Sequence, residues 1–185
     1  TRITHTECPL CKSKEIGKFK AIKDHPFSQE LFEIWKCKSC TFVFTQHIPN
    51  QEDIGYYYQA ETYVSHTDTT KGIFFKLYHV ARNIMLGKKQ RQIEKISGKK
   101  GGKLLDIGAA TGYFLNHMKK SGYNVTAVEE DKDSRKACED KFGIESHAPK
   151  TFFSQKNEKF DIITMWHVME HVHDMHHYVE KIDEL

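Results

Sequence analysis

The chain has 185 residues, 38% of them hydrophobic and 29% charged, with a formal net charge of +3. That length supports one sizeable core, or a domain with a small module beside it. The charge is too small to argue for nucleic-acid binding by itself, no apolar run reaches the roughly 18 residues of a membrane helix, and no signal-peptide pattern opens the chain. A cytoplasmic location is the expectation. The first residue is Thr1 rather than Met, so a fragment of a longer protein is expected.

The first element in chain order is a cysteine framework. Cys8 and Cys11 form one Cys-x-x-Cys pair, and Cys37 and Cys40 form a second after residues 12–36. Two thiolates two residues apart reach one tetrahedral ion across a tight turn, and a second such pair closes the shell. A structural Zn2+ on Cys8, Cys11, Cys37 and Cys40 is the leading reading; disulfides and a redox pair are the alternatives. Residues 1–50 then read as a small zinc ribbon, with Glu33–Lys36 and Thr41–Thr45 as β-type segments around the second knuckle. So small a unit has little core, and the metal would hold it together. Cys138 stands apart, in a predicted helix, as a buried or half-buried small apolar residue.

Residues 51–100 read as a helical connector. Tyr56, Tyr57 and Tyr58 form an aromatic cluster that would line an entrance or pack between domains. Leu77, Ala81, Ile84 and Met85 recur at helical spacing within Gly72–Gly98 and are expected to face a core. Lys99–Lys103 is a basic, flexible turn.

From residue 101 apolar runs alternate with helical patterns. Leu104, Leu105 and Ile107 make a strand that enters a small-residue turn and then a helix over Tyr113–Lys120, stopped at Gly122. A strand over Asn124–Glu129, a helix over Asp133–Phe142 stopped at Gly143, a short strand near Ile144–His147 and a strand over Phe160–Trp166 follow. Asp131 or Asp133 is placed to cap the second of these helices. The alternation predicts an α/β fold with a parallel sheet and right-handed crossovers. Residues 174–185 read as the start of another helix, and Ile182–Leu185 as its cut end rather than a retention signal.

The turn itself reads Asp106-x-Gly108-x-Ala110-x-Gly112. It is neither the dinucleotide fingerprint nor a P-loop, since the spacing differs and no Gly-Lys-Ser/Thr follows. Such a turn admits a ligand close to the backbone at a helix N-terminus. Glu129 closes the next strand, at the spacing where an acid accepts from ribose hydroxyls in a βαβ unit. Phe160-Asp161 opens the fourth strand, and Glu170-His171 follows it. Together these residues resemble the class I S-adenosylmethionine-dependent methyltransferases over Lys103–Val172, about two fifths of the chain.

The resemblance implies a Rossmann-like sheet in the order 3-2-1-4, lacking its last strands in this chain, preceded by the zinc ribbon. It implies S-adenosylmethionine as cofactor, with Asp106, Gly108, Ala110, Gly112, Glu129 and Trp166 around it. Ala110 stands where the family has a glycine. Glu130 stands where it has an apolar residue, which leaves the adenine wall open. The loop after the fourth strand brings His167, Glu170 and His171 to the acceptor side, where a neutral His would take a proton. The rest of the native protein, roughly its C-terminal third, is expected to lie beyond this chain.

Other readings of these segments stand beside that one. His167-Val-Met-Glu170-His171 also fits the H-x-x-E-H inverted zinc-protease pattern, in which both histidines share a metal on one helix. His173, His176 and His177 are expected to face solvent. The expected acceptor is a small molecule, a sugar or metabolite. An RNA methyltransferase is the alternative: Lys12, Lys14, Lys18, Lys20, Lys36 and Lys38 make the ribbon basic, and Phe19, Phe27 and Trp35 would stack on bases. A non-catalytic zinc-ribbon docking module is the third reading. No membrane partner is expected, and oligomeric state is not readable from the sequence.

Overall fold

The computed structural model describes residues 2–25, 28–50, 53, 73–154 and 158–185, with backbone alone over 73–78. Tyr56, Tyr57, Tyr58 and Phe27 lie outside the described residues, as does the side chain of Leu77. The chain forms two compact units, Thr1–Asp68 with His173–Glu180, and Thr69–Val172 with Lys181–Leu185.

Among the described residues the first unit holds five strands: β1 (Arg2–Ile3), β2 (Ile16–Lys23), β3 (Leu31–Cys37), β4 (Val43–Gln46) and β5 (Ile48–Pro49). β2, β3 and β4 make an antiparallel sheet, and β1 pairs with β5. The apolar burial here is thin. Phe44 is buried between the stacked ring of Phe42 and the edge of His5. Buried Gln46 substitutes for a strand partner: its Oε1 accepts from the His5 N–H at 2.7 Å and its Nε2 donates to the His5 carbonyl at 2.8 Å.

The second unit starts with helix α1 (Ile73–Ser97). Then come β6 (Gly102–Ile107), α2 (Tyr113–Lys120), β7 (Tyr123–Val128), α3 (Lys132–Phe142), β8 (Ser146–His147), α4 (Pro149–Ser154) and β9 (Ile162–Thr164). The sheet runs β8-β7-β6-β9, all parallel, which is the 3-2-1-4 order. α2 spans the expected Tyr113–Lys120 and buries Phe114, Leu115 and Met118 on one face, with His117, Lys119 and Lys120 in its last turn where they oppose the helix dipole. Asp131 is the cap of α3, accepting from Ser134 N at 2.7 Å, so that helix begins one residue earlier than read from sequence.

Two strands are shorter than the sequence suggested. β9 pairs with β6 only over Leu104–Asp106, because Trp166 turns out of the strand to pack on the core beside Phe114. β8 keeps two residues, opposite Ala127 and Val128. Asp161 anchors the start of β9. Its carboxylate accepts from the Lys103 N–H at 2.8 Å and from the Lys99 ammonium, which together hold it below the ordinary carboxylate range. A 3-10 turn (Met169–His171) follows, then α5 (Met175–Glu184). Residues 173–180 belong to the first unit, and there His173 and His176 depart from the solvent-facing expectation. Both are half-buried, His173 Nε2 lying 3.2 Å from the Pro49 carbonyl and His176 Nδ1 2.8 Å from that of Leu10. His177 is exposed.

Candidate cofactor crevice and cysteine cluster

The four cysteine Sγ atoms of the first unit all lie within 4.8 Å of one another. Cys8 and Cys40 are 3.6 Å apart, Cys11 and Cys37 3.7 Å. A tetrahedral ion with bonds of about 2.3 Å spaces its sulfurs by about 3.8 Å, so the donor set fits zinc. The two knuckles repeat one design. Each ends on a left-handed residue directly after its second cysteine, Lys12 at φ 61 and Thr41 at φ 65. They are tied by Ser13 Oγ to Ser39 Oγ at 2.7 Å and by Lys38 N donating to Glu15 O at 2.8 Å. The Cys40 backbone N–H pointing at the Cys37 sulfur lowers that thiol against its burial, while burial and the neighbouring sulfurs raise Cys8 and Cys40, so that without a metal the crowded thiols do not ionise together. Among the described residues no other group of three or more ligand-type side chains comes together.

In the second unit β6 delivers Asp106 to the turn. Its carboxyl is 3% exposed and accepts from Thr164 Oγ1 at 2.7 Å. Burial lifts it to about 7, with Thr164 and Lys89 favouring the ionised form. The backbone then folds back on β7, with Gly108 N and Ala109 N both donating to Val128 O. Gly108 sits at φ 81, and a Cβ there would lie 2.1 Å from Val168 Cγ2, so the loop after β9 packs straight onto the turn. Gly112 sits at φ 80, and a Cβ there would lie 2.3 Å from Cys138 Sγ. Gly112→Ala is therefore expected to cost about 2–4 kcal/mol in urea unfolding, part from the left-handed backbone and part from overpacking. Adding Cys138→Ala should return the packing part alone; a loss under about 1 kcal/mol would refute the contact.

Ala110, in the family's glycine position, adopts φ 46. Glu129 stabilises that left-handed residue: its Oε2 accepts from Ala110 N at 2.7 Å and its Oε1 from Asp131 N at 2.9 Å. Arg135 holds the same bend by donating to the Glu129 and Glu130 carbonyls at 2.7 and 2.6 Å. Asp106, the turn and Glu129 thus gather at the carboxyl ends of β6 and β7, where open α/β sheets take ligands. The chemistry of this donor set suits a nucleoside carrying an amino acid, with an acid for hydroxyls at one end and a buried acid for a cation at the other.

Trp166 is partly buried against the core, its ring 6.0 Å from Phe114. His167 is left-handed at φ 58, its side chain 84% exposed and its Nδ1 3.7 Å from Glu170. His171 is exposed at the end of the 3-10 turn. His167 precedes that turn, so the two histidines do not share one helix face, and the inverted protease pattern lacks the helix it requires. Arg135, Val168 and Lys89 are the residues around the crevice that sequence reasoning missed; Asp161, at the opposite end of β9 beside Lys103, is an anchor of the sheet. The Phe160-Asp161 pair was the one available signal, and it marked a strand start rather than an anchor.

Residues 79–185 match the family model described as a methyltransferase domain. No curated protein matches the chain. Among solved structures, the chain is similar to coclaurine N-methyltransferase bound to N-methylheliamine and SAH, at 19% identity and TM-score 0.45, over 54% of this chain and 32% of that one. It is similar to YcgJ from Bacillus subtilis at 20% identity and TM-score 0.45, over 54% and 44%. A TehB-like SAM-dependent methyltransferase from Corynebacterium glutamicum is 17% identical with TM-score 0.39, over 53% and 58%. The chain thus spans less than two thirds of each of these proteins. The glycine turn, the strand order and a family match over more than half of its length agree, and the chain belongs to the class I S-adenosylmethionine-dependent methyltransferase family.

Proposed function

We propose that this chain forms the cofactor-binding part of an enzyme that moves a methyl group from S-adenosylmethionine to a small-molecule acceptor, a sugar or metabolite. The observation that carries this is the crevice where buried Asp106, the Gly108–Gly112 turn and Glu129 meet. When bound, the cofactor supplies a methyl group on a sulfonium, ready for in-line displacement. The protein's task is to position and desolvate. Gly108, Ala110 and Gly112 give backbone access, Glu129 accepts from the ribose hydroxyls, and Asp106 meets the amino group. Trp166 walls the site, and His171, with Glu170 and His167 beside it, takes the acceptor proton. A structural Zn2+ on Cys8, Cys11, Cys37 and Cys40 holds the ribbon.

Titration of S-adenosylhomocysteine into the protein tests this. Wild type is expected to bind, and Glu129→Ala to lose about tenfold to hundredfold in affinity, the worth of hydrogen bonds to a carboxylate. Absence of binding by the folded wild-type protein would overturn the reading.

One observation favours RNA as acceptor. Phe19 occupies the β-bulge between Lys18 and Lys20, is 58% exposed, and has the Lys20 and Lys36 ammoniums 5.8 and 5.9 Å from its ring. Against it, Lys18 is paired to Glu33 at 2.5 Å, and Trp35 Nε1 donates to that same carboxylate at 3.0 Å. Those contacts remove one cation and one aromatic from the basic stacking set, which supports the small-molecule reading. Salt-dependent RNA binding that falls in Phe19→Ala would reverse that order. Cofactor binding without turnover would instead favour a docking module.

A further inference from the structure

The β2-β3-β4 sheet covers one of its faces and leaves the other open. Residues opposed across antiparallel strands share a face, and neighbours along a strand point to opposite faces. Phe44, Gln46 and Cys37, with their cross-strand partners Trp35, Glu33 and Ile16, make one face, and the first three are buried there. The other face carries Ile22 beside Phe32, Lys20 beside Ile34, and Lys36 beside Val43. Ile22 and Val43 are each 45% exposed, and Phe32 and Ile34 are half-buried.

The β-bulge decides which cations reach this face. In a regular strand Lys18 and Lys20 would point the same way. The bulge leaves Lys18 opposite Trp35 and turns Lys20 opposite Ile34. Lys18 is then spent on Glu33. Lys20 and Lys36 pair with no carboxylate among the described residues, and their ammoniums lie 5.8 and 5.9 Å from the centre of one ring, that of exposed Phe19. Arg2 lies over Phe32, where Glu30 neutralises it. In the paired register no acidic residue falls on this face. It is apolar along its length and positive at the Phe19 end.

These two features select the occupant. A second copy would repeat the same face and bring no acid to Lys20 and Lys36. A nucleic acid would use Phe19 and the cations but leave Ile22, Phe32, Ile34 and Val43 without a partner. Strand addition along β2 is opposed by its exposed lysines and its bulge. A helix laid across the face, with an apolar stripe and carboxylates at one end, matches both. We propose that the open face of the β2-β3-β4 sheet is the docking surface for an acidic amphipathic helix of a partner protein, anchored on Phe19 and oriented by Lys20 and Lys36. This docking is separate from methyl transfer and stands whether or not the crevice binds its cofactor.

The probe is a designed peptide helix with a leucine stripe and glutamates at one end, titrated into the full, zinc-loaded chain by calorimetry and NMR. Glutamine and lysine versions of the peptide and an oligouridylate run beside it. The side-chain methyls of Ile22, Ile34 and Val43 are expected to shift while the Gln46 side chain does not. The glutamate peptide should bind at least about tenfold more tightly than the glutamine one. Phe19→Ser should weaken it about tenfold or more, and Lys20→Glu with Lys36→Glu should move the preference to the lysine peptide. Zinc content and thermal melting establish that each variant folds. No binding, equal affinity for the glutamate and glutamine peptides, or shifts confined to other surfaces would overturn the proposal. Oligouridylate that displaces the acidic peptide and is itself lost in Phe19→Ser would give the face to RNA and overturn it too. A dimer in sedimentation that Phe19→Ser dissociates would do the same in favour of a second copy.

Discussion

Stripping the metal is expected to unfold the β2-β3-β4 sheet and leave the parallel sheet standing. The first unit has little to hold it besides the four thiolates. Among its described residues the buried apolar side chains outside the cysteines are few, Phe44, Pro49 and Met175, and Gln46 clasps the His5 backbone. Apparent binding energies of structural zinc are on the order of 10–16 kcal/mol at neutral pH, more than a unit of this size gains from burial. Both knuckles also carry a left-handed non-glycine residue, Lys12 and Thr41, a strain that the closed metal shell must outweigh. Metal analysis should therefore find one zinc per chain. Cys37→Ser should release it, because one ligand is lost and a tetrathiolate shell tolerates few gaps. Hydrogen exchange read by mass spectrometry distinguishes the units: after chelation β2, β3 and β4 should exchange freely while β6 and β7 stay protected. A sheet that stays protected without metal would show that the cysteines do not hold it.

Much of this architecture was legible because it is punctuated locally. The Tyr113–Lys120 helix was readable from its apolar spacing and the stop at Gly122, and a cap at Asp131 or Asp133 from their place before a helical pattern, of which the structure uses Asp131. The 3-2-1-4 order followed once the glycine turn identified the first strand. What stayed hidden depends on partners remote in sequence. Cys138 is buried, as its apolar reading implies, but its place against Gly112, where its sulfur fills the space a Cβ would need, is not marked in the sequence. His173 and His176 read as solvated polar residues because their carbonyl acceptors, on Pro49 and Leu10, are 124 and 166 positions away. The fourth strand was read too long because aliphatic and aromatic residues continue past Thr164, where the chain turns to bury Trp166. Lys89 could not be found at all. Nothing in a basic helical stretch marks which lysine will lie over an indole, as Lys89 does over Trp166.

Cofactor affinity is expected to fall as pH drops below about 7, with Asp106 as the group responsible. Burial raises the Asp106 carboxyl from its ordinary 3.8 to about 7, Glu129 adds to that rise, and Thr164 and Lys89 work against it. The linkage follows from the direction of the shift. The folded chain binds this proton more tightly than the unfolded one, so the associated stability is fully present below 3.8 and is lost as pH climbs to about 7. Ligand binding runs the other way. An ammonium beside Asp106 requires the ionised form, so binding below about 7 must release the proton, and affinity should fall by about tenfold per pH unit there. Calorimetry near pH 6 in two buffers of different ionisation enthalpy should count close to one proton released per S-adenosylhomocysteine bound. Asp106→Asn should bind more weakly at high pH, by about tenfold to hundredfold, and show no proton release. It should also gain stability relative to wild type as pH rises from 3.8 to about 7, since it no longer buries a carboxylate. Wild-type affinity that stays flat between about pH 5.5 and 7.5, or an equal slope in the asparagine variant, would remove Asp106 from the ammonium's place. The crevice would then bind its ligand through the turn and Glu129, with Asp106 serving to hold β9 through Thr164.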